Sequence, residues 1–151
     1  MNKEYIDEIQ KKILNFLPKD KYLEKGLLLG HCCSELSRLV GSWIHEDDSF
    51  SRQIILKGKN VQGTNKSHDI LVSINNDIVY LIDPTIWQFF PKDNTILIGK
   101  YSSIDNAIYA ASKKYGGRWQ KSEEIKETSS EEKNEWIKII KENIHEAICR
   151  I

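Results

Sequence analysis

The stretch from Ser67 to Thr85 constrains this chain more than any other. Two apolar runs, 68–74 and 77–83, flank Asn75-Asn76-Asp77, residue types that accept the positive φ of tight hairpin turns. A hairpin here dictates which side chains share a face, because strand side chains alternate. With Asn75-Asn76 as the loop, Ile74 faces Asp77 and His68 falls directly opposite Asp83. With Asn76-Asp77 as the loop, Asp83 moves to a diagonal position on the same face. Opposed Cβ atoms lie about 4.5–5.5 Å apart, within reach of a carboxylate–imidazole hydrogen bond. A three-residue loop without a bulge would put the two on opposite faces. Ile70, Val72, Ile74, Val79 and Leu81 make the shared face apolar, so a helix is expected to cover it. An ionisable pair at the end of a buried face is where desolvation and a charge partner tune a pKa. A purely structural His–Asp pair at a sheet edge is the plainer reading of the same residues.

Upstream, Ile6, Ile9, Ile13 and Phe16/Leu17 recur at spacings of three and four, which predicts an amphipathic helix over 3–17 stopped by Pro18. Residues 26–30 interrupt that pattern, and Leu36, Leu39, Val40 and Trp43 then form the stripe of a second helix. From residue 52 the period shortens: 52–57 reads as a strand, the turn-rich 58–65 as a loop, and 95–99 as a strand after the hairpin. Ser103 is placed to cap a helix over 103–115 that Gly116-Gly117 ends, with Ile104, Ala107, Ile108 and Ala111 on one face. The polar 121–134 reads as a linker or exposed helix start, with Ser129 and Glu132 spaced as a capping box. Trp136, Ile139, Ile140, Ile144, Ala147 and Ile148 mark a terminal helix. Helices, then an antiparallel sheet, then helices again predict one α+β domain over 1–151, its sheet packed against an N-terminal helix.

Lys+Arg and Asp+Glu are equal at 22 each, so no positive field meets a phosphate backbone and no nucleic-acid partner is expected. No apolar run approaches the ~20 residues of a membrane span, and the N-terminus lacks a signal-peptide core. Three cysteines, two of them adjacent, make no disulfide framework. That fits a cytoplasmic protein, and is compatible with export by a route that uses no cleaved signal. No cofactor is expected. A zinc site drawn from His31, Cys32, Cys33, His45 or His68 is disfavoured, because adjacent cysteines do not match Cys-x2–4-Cys spacing.

Cys32 and Cys33 open the second helix just after Gly30. Unpaired N–H groups at a helix start favour a thiolate and can donate to an oxyanion. Both cysteines lie near the apolar stripe, so helix phase does not choose between them. A buried inert thiol is the plain reading of an isolated cysteine. The combination argues otherwise: a Cys at a helix start, a His opening a strand, and an Asp on the partner strand.

Cys33-Ser34-Glu35-Leu36-Ser37 resembles the nucleophile segment of papain-like and transglutaminase-like enzymes, where Cys starts a helix and a small residue follows four positions on. The Gly-x-Cys form common in those families points instead, through Gly30-His31-Cys32, to Cys32 as the alternative nucleophile. His68 opening one strand and Asp83-Pro84-Thr85 closing the next resemble the transglutaminase core. The run Asp83-x-Thr85-x-x-Gln88-Phe89 is similar to a stretch in bacterial proteins of this superfamily. The resemblance spans roughly residues 28–90, and it departs from papain-like proteases in that 22–31 hold no Gln or Asn for the oxyanion hole. It implies a papain/transglutaminase-like fold and thiol-dependent acyl transfer on a protein or peptide amide through a thioester, as a deamidase, transglutaminase or peptidase. Cys33 would be the nucleophile, His68 the base and Asp83 the orienting acid of a catalytic triad. His31, Trp87 and Gln88 are candidate site-lining residues, with core packing the plain reading of Trp87, Phe89 and Phe90; Trp119 is placed to rim a pocket. The alternative class is a noncatalytic binding or regulatory module on the same fold.

Overall fold

The computed structural model of the chain describes residues 1–151. Helix α1 (Lys3–Leu14) buries Ile6, Ile9 and Ile13, and Asn2 caps it by accepting the Tyr5 N–H at 2.9 Å. It ends sooner than the apolar spacing predicts, at Asn15, and a 3-10 turn (Lys19–Glu24) then leads into the single helical turn α2 (Lys25–Leu28). Helix α3 (Cys33–Asp47) buries Leu36, Leu39 and Val40 of the stripe read from the sequence, leaves Trp43 half-buried, and buries Ile44, which that reading did not include.

Strands β1 (Arg52–Lys59), β2 (Ser67–Asn75), β3 (Ile78–Ile82), β4 (Leu97–Tyr101) and β5 (Arg118–Ile125) form one sheet in the order β4-β3-β2-β1-β5. All four pairings are antiparallel. Helix α4 (Ile104–Tyr115) separates β4 from β5, and α5 (Ser130–Arg150) closes the chain. The architecture is therefore α+β. Strand β5 corrects the reading of 121–134 as a linker, and the strands do not come in one unbroken block. As an edge strand, β5 buries only Trp119 and Ile125, so no apolar alternation marks it in the sequence. The capping box of α5 does form: Ser129 Oγ accepts the Glu132 N–H at 3.1 Å.

In the β2–β3 hairpin Asn75 pairs with Ile78, so the loop is Asn76-Asp77, with φ of 50° and 65°. Of the two loops that keep His68 and Asp83 on one face, this is the one that sets them diagonally rather than directly opposite. Alternation along β2 turns Ile70 and Val72 toward α4, where Ile54, Leu56, Val79 and Leu81 also meet Ala107, Ala111 and Tyr115. Leu71, Ile55, Tyr80 and Ile82 face the other way, against α1, α3 and α5. The helix over the His68–Asp83 face is thus α4, while α3 covers the opposite face.

Two features shape the end of the sheet that carries His68. Pairing of β2 with β3 stops at Leu71 and Ile82, so no strand flanks His68 on that side and groups rooted on the two faces can meet there. On the other side, His68, Gly58 and Trp119 form one cross-strand row. A Cβ on Gly58 would sit 2.4 Å from the Trp119 indole, so the missing side chain lets Trp119 lie across β1 toward His68. No helix is long and apolar enough to cross a membrane.

Candidate active site

His68 is the second residue of β2 and is 1% exposed. Its Nε2 donates to Asp83 Oδ2 at 2.8 Å, within a pair whose side chains are wholly buried. Asp83 lies one residue past β3, where its N–H donates to the Ile96 carbonyl at 2.8 Å. Three more donors converge on its carboxylate. The Thr85 N–H (3.0 Å) and hydroxyl (3.4 Å) reach Oδ1, and the Tyr115 hydroxyl donates to Oδ2 beside the imidazole. A carboxylate with this many donors is held in one orientation. Thr85 Oγ1 also lies 3.2 Å from Gln88 Oε1, so its single proton is shared between Gln88 and the acid.

Three aromatic rings enclose the imidazole: Phe89 edge-on at 4.8 Å between centroids, Tyr115 at 5.4 Å and Trp119 at 6.3 Å. Burial alone would strip His68 of its charge. The Asp83 charge and hydrogen bond, with smaller contributions of both kinds from Cys33, outweigh it and raise the imidazole to about 10. Burial first, then Asp83, drives the Tyr115 phenol far above its ordinary value, so it remains a donor.

Cys33, the first residue of α3, is half-buried, and its influence on the His68 ring is smaller than that of Asp83. The other ring nitrogen, Nδ1, is buried and makes no hydrogen bond. No side chain caps α3, so its first-turn N–H groups point past Cys33 without a side-chain acceptor.

The other sequence candidates fall into different places. Cys32 is fully buried in the core with its Sγ 4.0 Å from the Ile140 carbonyl, and burial, then the charges of Glu35 and Cys33, push its thiol up to about 12. That corrects its standing as an alternative nucleophile: a buried protonated thiol is inert. Trp87 does not line the site either. Its ring is buried in the core, with Nε1 donating to the Asp93 carbonyl at 2.7 Å. His31 is exposed, and its carbonyl accepts from Asn143 Nδ2 of α5 at 2.8 Å. No group of three or more His, Cys, Asp or Glu side chains is arranged to hold a metal ion.

Sequence reasoning missed Tyr115. The signal was present, since Tyr115 extends the four-residue spacing of Ala107 and Ala111 to the last turn before Gly116-Gly117. The bonded part of the site is therefore His68 on Asp83, with Tyr115 and Thr85 holding the acid. Compared with protein-family models, curated proteins and solved structures, the chain matches none, so its site is read from its own atoms.

Proposed function

We propose that this protein is a cysteine-dependent acyl-transfer enzyme acting on an amide, with Cys33, His68 and Asp83 as nucleophile, base and orienting acid. The observation that carries the reading is the buried His68 ring, bonded through Nε2 to Asp83 at 2.8 Å with its Nδ1 unpartnered. The order of parts also supports a papain/transglutaminase-like arrangement: a Cys at a helix start, a His opening a strand and an Asp just past the next strand.

In the reaction, the proton shared by Cys33 and His68 already rests on the imidazole, which holds it up to about pH 10, and the Cys33 thiolate adds to the amide carbonyl. The first-turn N–H groups of α3, which no side chain caps, would donate to the oxyanion. His68 then gives the proton to the amine nitrogen as the C–N bond breaks, leaving a thioester on Sγ. Water attacks the thioester, gives its proton to His68, and releases the acid and the thiolate; an amine in place of water gives transfer instead of hydrolysis. Asp83 fixes the ring through Nε2 and stabilises the imidazolium throughout.

A noncatalytic binding or regulatory module is the second reading, and the 1% exposure of His68 favours it. Iodoacetamide separates the two. An imidazolium beside a sulfur holds it as thiolate, whereas an ordinary thiol is largely protonated at about pH 6. At that pH Cys33 should be alkylated at least about tenfold faster than the exposed Cys149, with Cys33→Ala removing the fast phase and Cys32→Ala retaining it. Equal, slow labelling of Cys33 and Cys149 would leave only the binding module.

A further inference from the structure

We propose that Arg38 is the positioning residue of this site, fixing the first turn of α3, and with it the Cys33 sulfur, against the strand that carries His68. The inference rests on the reading of Cys33 and His68 given above. Arg38 Nη1 donates to the Ser34 carbonyl at 2.9 Å, to Ser34 Oγ at 2.7 Å and to Asp69 Oδ2 at 3.0 Å. Its Nε donates to Glu123 Oε1 on β5 at 2.6 Å. Ser34 is covalently next to Cys33, and Asp69 is covalently next to His68. The Nε/Nη2 edge of the planar guanidinium fork is thus anchored on Glu123, and the remaining nitrogen, Nη1, alone spans the two chain segments whose side chains must meet. A second tie lies on the same line, Ser37 Oγ donating to the Asp69 carbonyl at 3.1 Å.

The network is not a source of charge for the thiol. Arg38 and Lys57, whose Nζ lies 3.1 Å from Asp69 Oδ1, are matched by Asp69 and Glu123. Two cations against two carboxylates leave little net field at the sulfur. Nor is such a cluster the cheapest route to stability, since the Asp69 side chain is 3% and the Arg38 side chain 16% exposed and apolar replacements for buried ion pairs are often as stable. What the fork supplies is geometry, and misplacement of a nucleophile by about 1 Å can slow a reaction by up to about a hundredfold.

The test compares Arg38→Lys, which keeps the cation and loses the fork, and Ser34→Ala, which removes one arm at a half-buried position. Iodoacetamide alkylation of Cys33 is followed by mass spectrometry across pH in the full chain, with Cys149 as internal reference and circular dichroism to verify folding. Arg38→Lys should slow Cys33 alkylation about tenfold near pH 6.5 and move its pH midpoint toward that of Cys149, and Ser34→Ala should do so about threefold. A folded Arg38→Lys protein with the wild-type pH profile overturns the proposal; should that variant fail to fold, an unshifted Ser34→Ala profile overturns it. Wild-type Cys33 that labels no faster than Cys149 sinks the enzyme reading and this inference with it, whereas fast wild-type labelling with unshifted variants sinks this inference alone.

Discussion

Asp83 accepts from four donors, and each constrains the others: the imidazole and the Tyr115 hydroxyl share Oδ2, and Thr85 occupies Oδ1. Tyr115→Phe removes one donor without changing shape, and hydrogen bonds to charged groups contribute about 1.5–3 kcal/mol. Urea unfolding should show a loss of that size. A change under about 0.5 kcal/mol would mean that Tyr115 matters only as a ring. His68 gives a second prediction. Held at about 10 in the folded chain against 6.5 when free, it binds its proton more tightly when folded. The resulting stabilisation is complete below pH 6.5 and is lost as pH rises toward about 10. Urea midpoints should fall across that window in the wild type and fall less in His68→Gln, which has no titrating ring; parallel curves would remove His68 as the cause. The His68–Asp83 pair was legible in the sequence because both residues belong to one hairpin with a period of two. Tyr115 was not, because its bond to Asp83 crosses 32 residues and a change of element.

At the scale of elements, the β2–β3 hairpin decides the site, and its register rests on Asn76 and Asp77, both at positive φ. An L residue in that region is strained, Asn and Asp less than most, and Asn-Gly is the preferred pair for such a turn. Asp77→Gly should therefore raise stability by about 0.5 kcal/mol in urea unfolding, with the near-ultraviolet spectrum unchanged. A loss instead would mean that the Asp77 side chain contributes something the turn needs. Strand β5 teaches the opposite lesson about legibility. Its solvent-facing residues, Gln120 to Glu124, carry no apolar rhythm, and it exists because β1 offers an edge and Trp119 and Ile125 each reach a core. A strand held by its neighbour cannot be found from its own pattern.

Across the whole molecule, one sheet is covered on both faces, and the site sits where the two layers meet. Helix α5, last in the chain, backs the bend that carries the cysteines: Cys32 Sγ points at the Ile140 carbonyl, and Asn143 bonds the His31 carbonyl. Ile140 is fully buried, so Ile140→Ala should cost about 2–5 kcal/mol by chemical denaturation. A cost below about 1 kcal/mol would show that α5 does not brace this end of the fold. The segments before Cys33 and after Asp83 also touch, for a Cβ on Gly26 would lie 2.4 Å from the Trp87 carbonyl. None of these contacts is local. Periodicity along the chain, by itself, determined the helical stripes, the hairpin and the shared face of His68 and Asp83, because a residue's face follows from counting along its own element. Only the tertiary structure decided that Cys32 turns into the core while Cys33 stays half-buried, because burial depends on which distant helix closes over a bend. Two adjacent thiols look alike along the chain and differ only in what covers them.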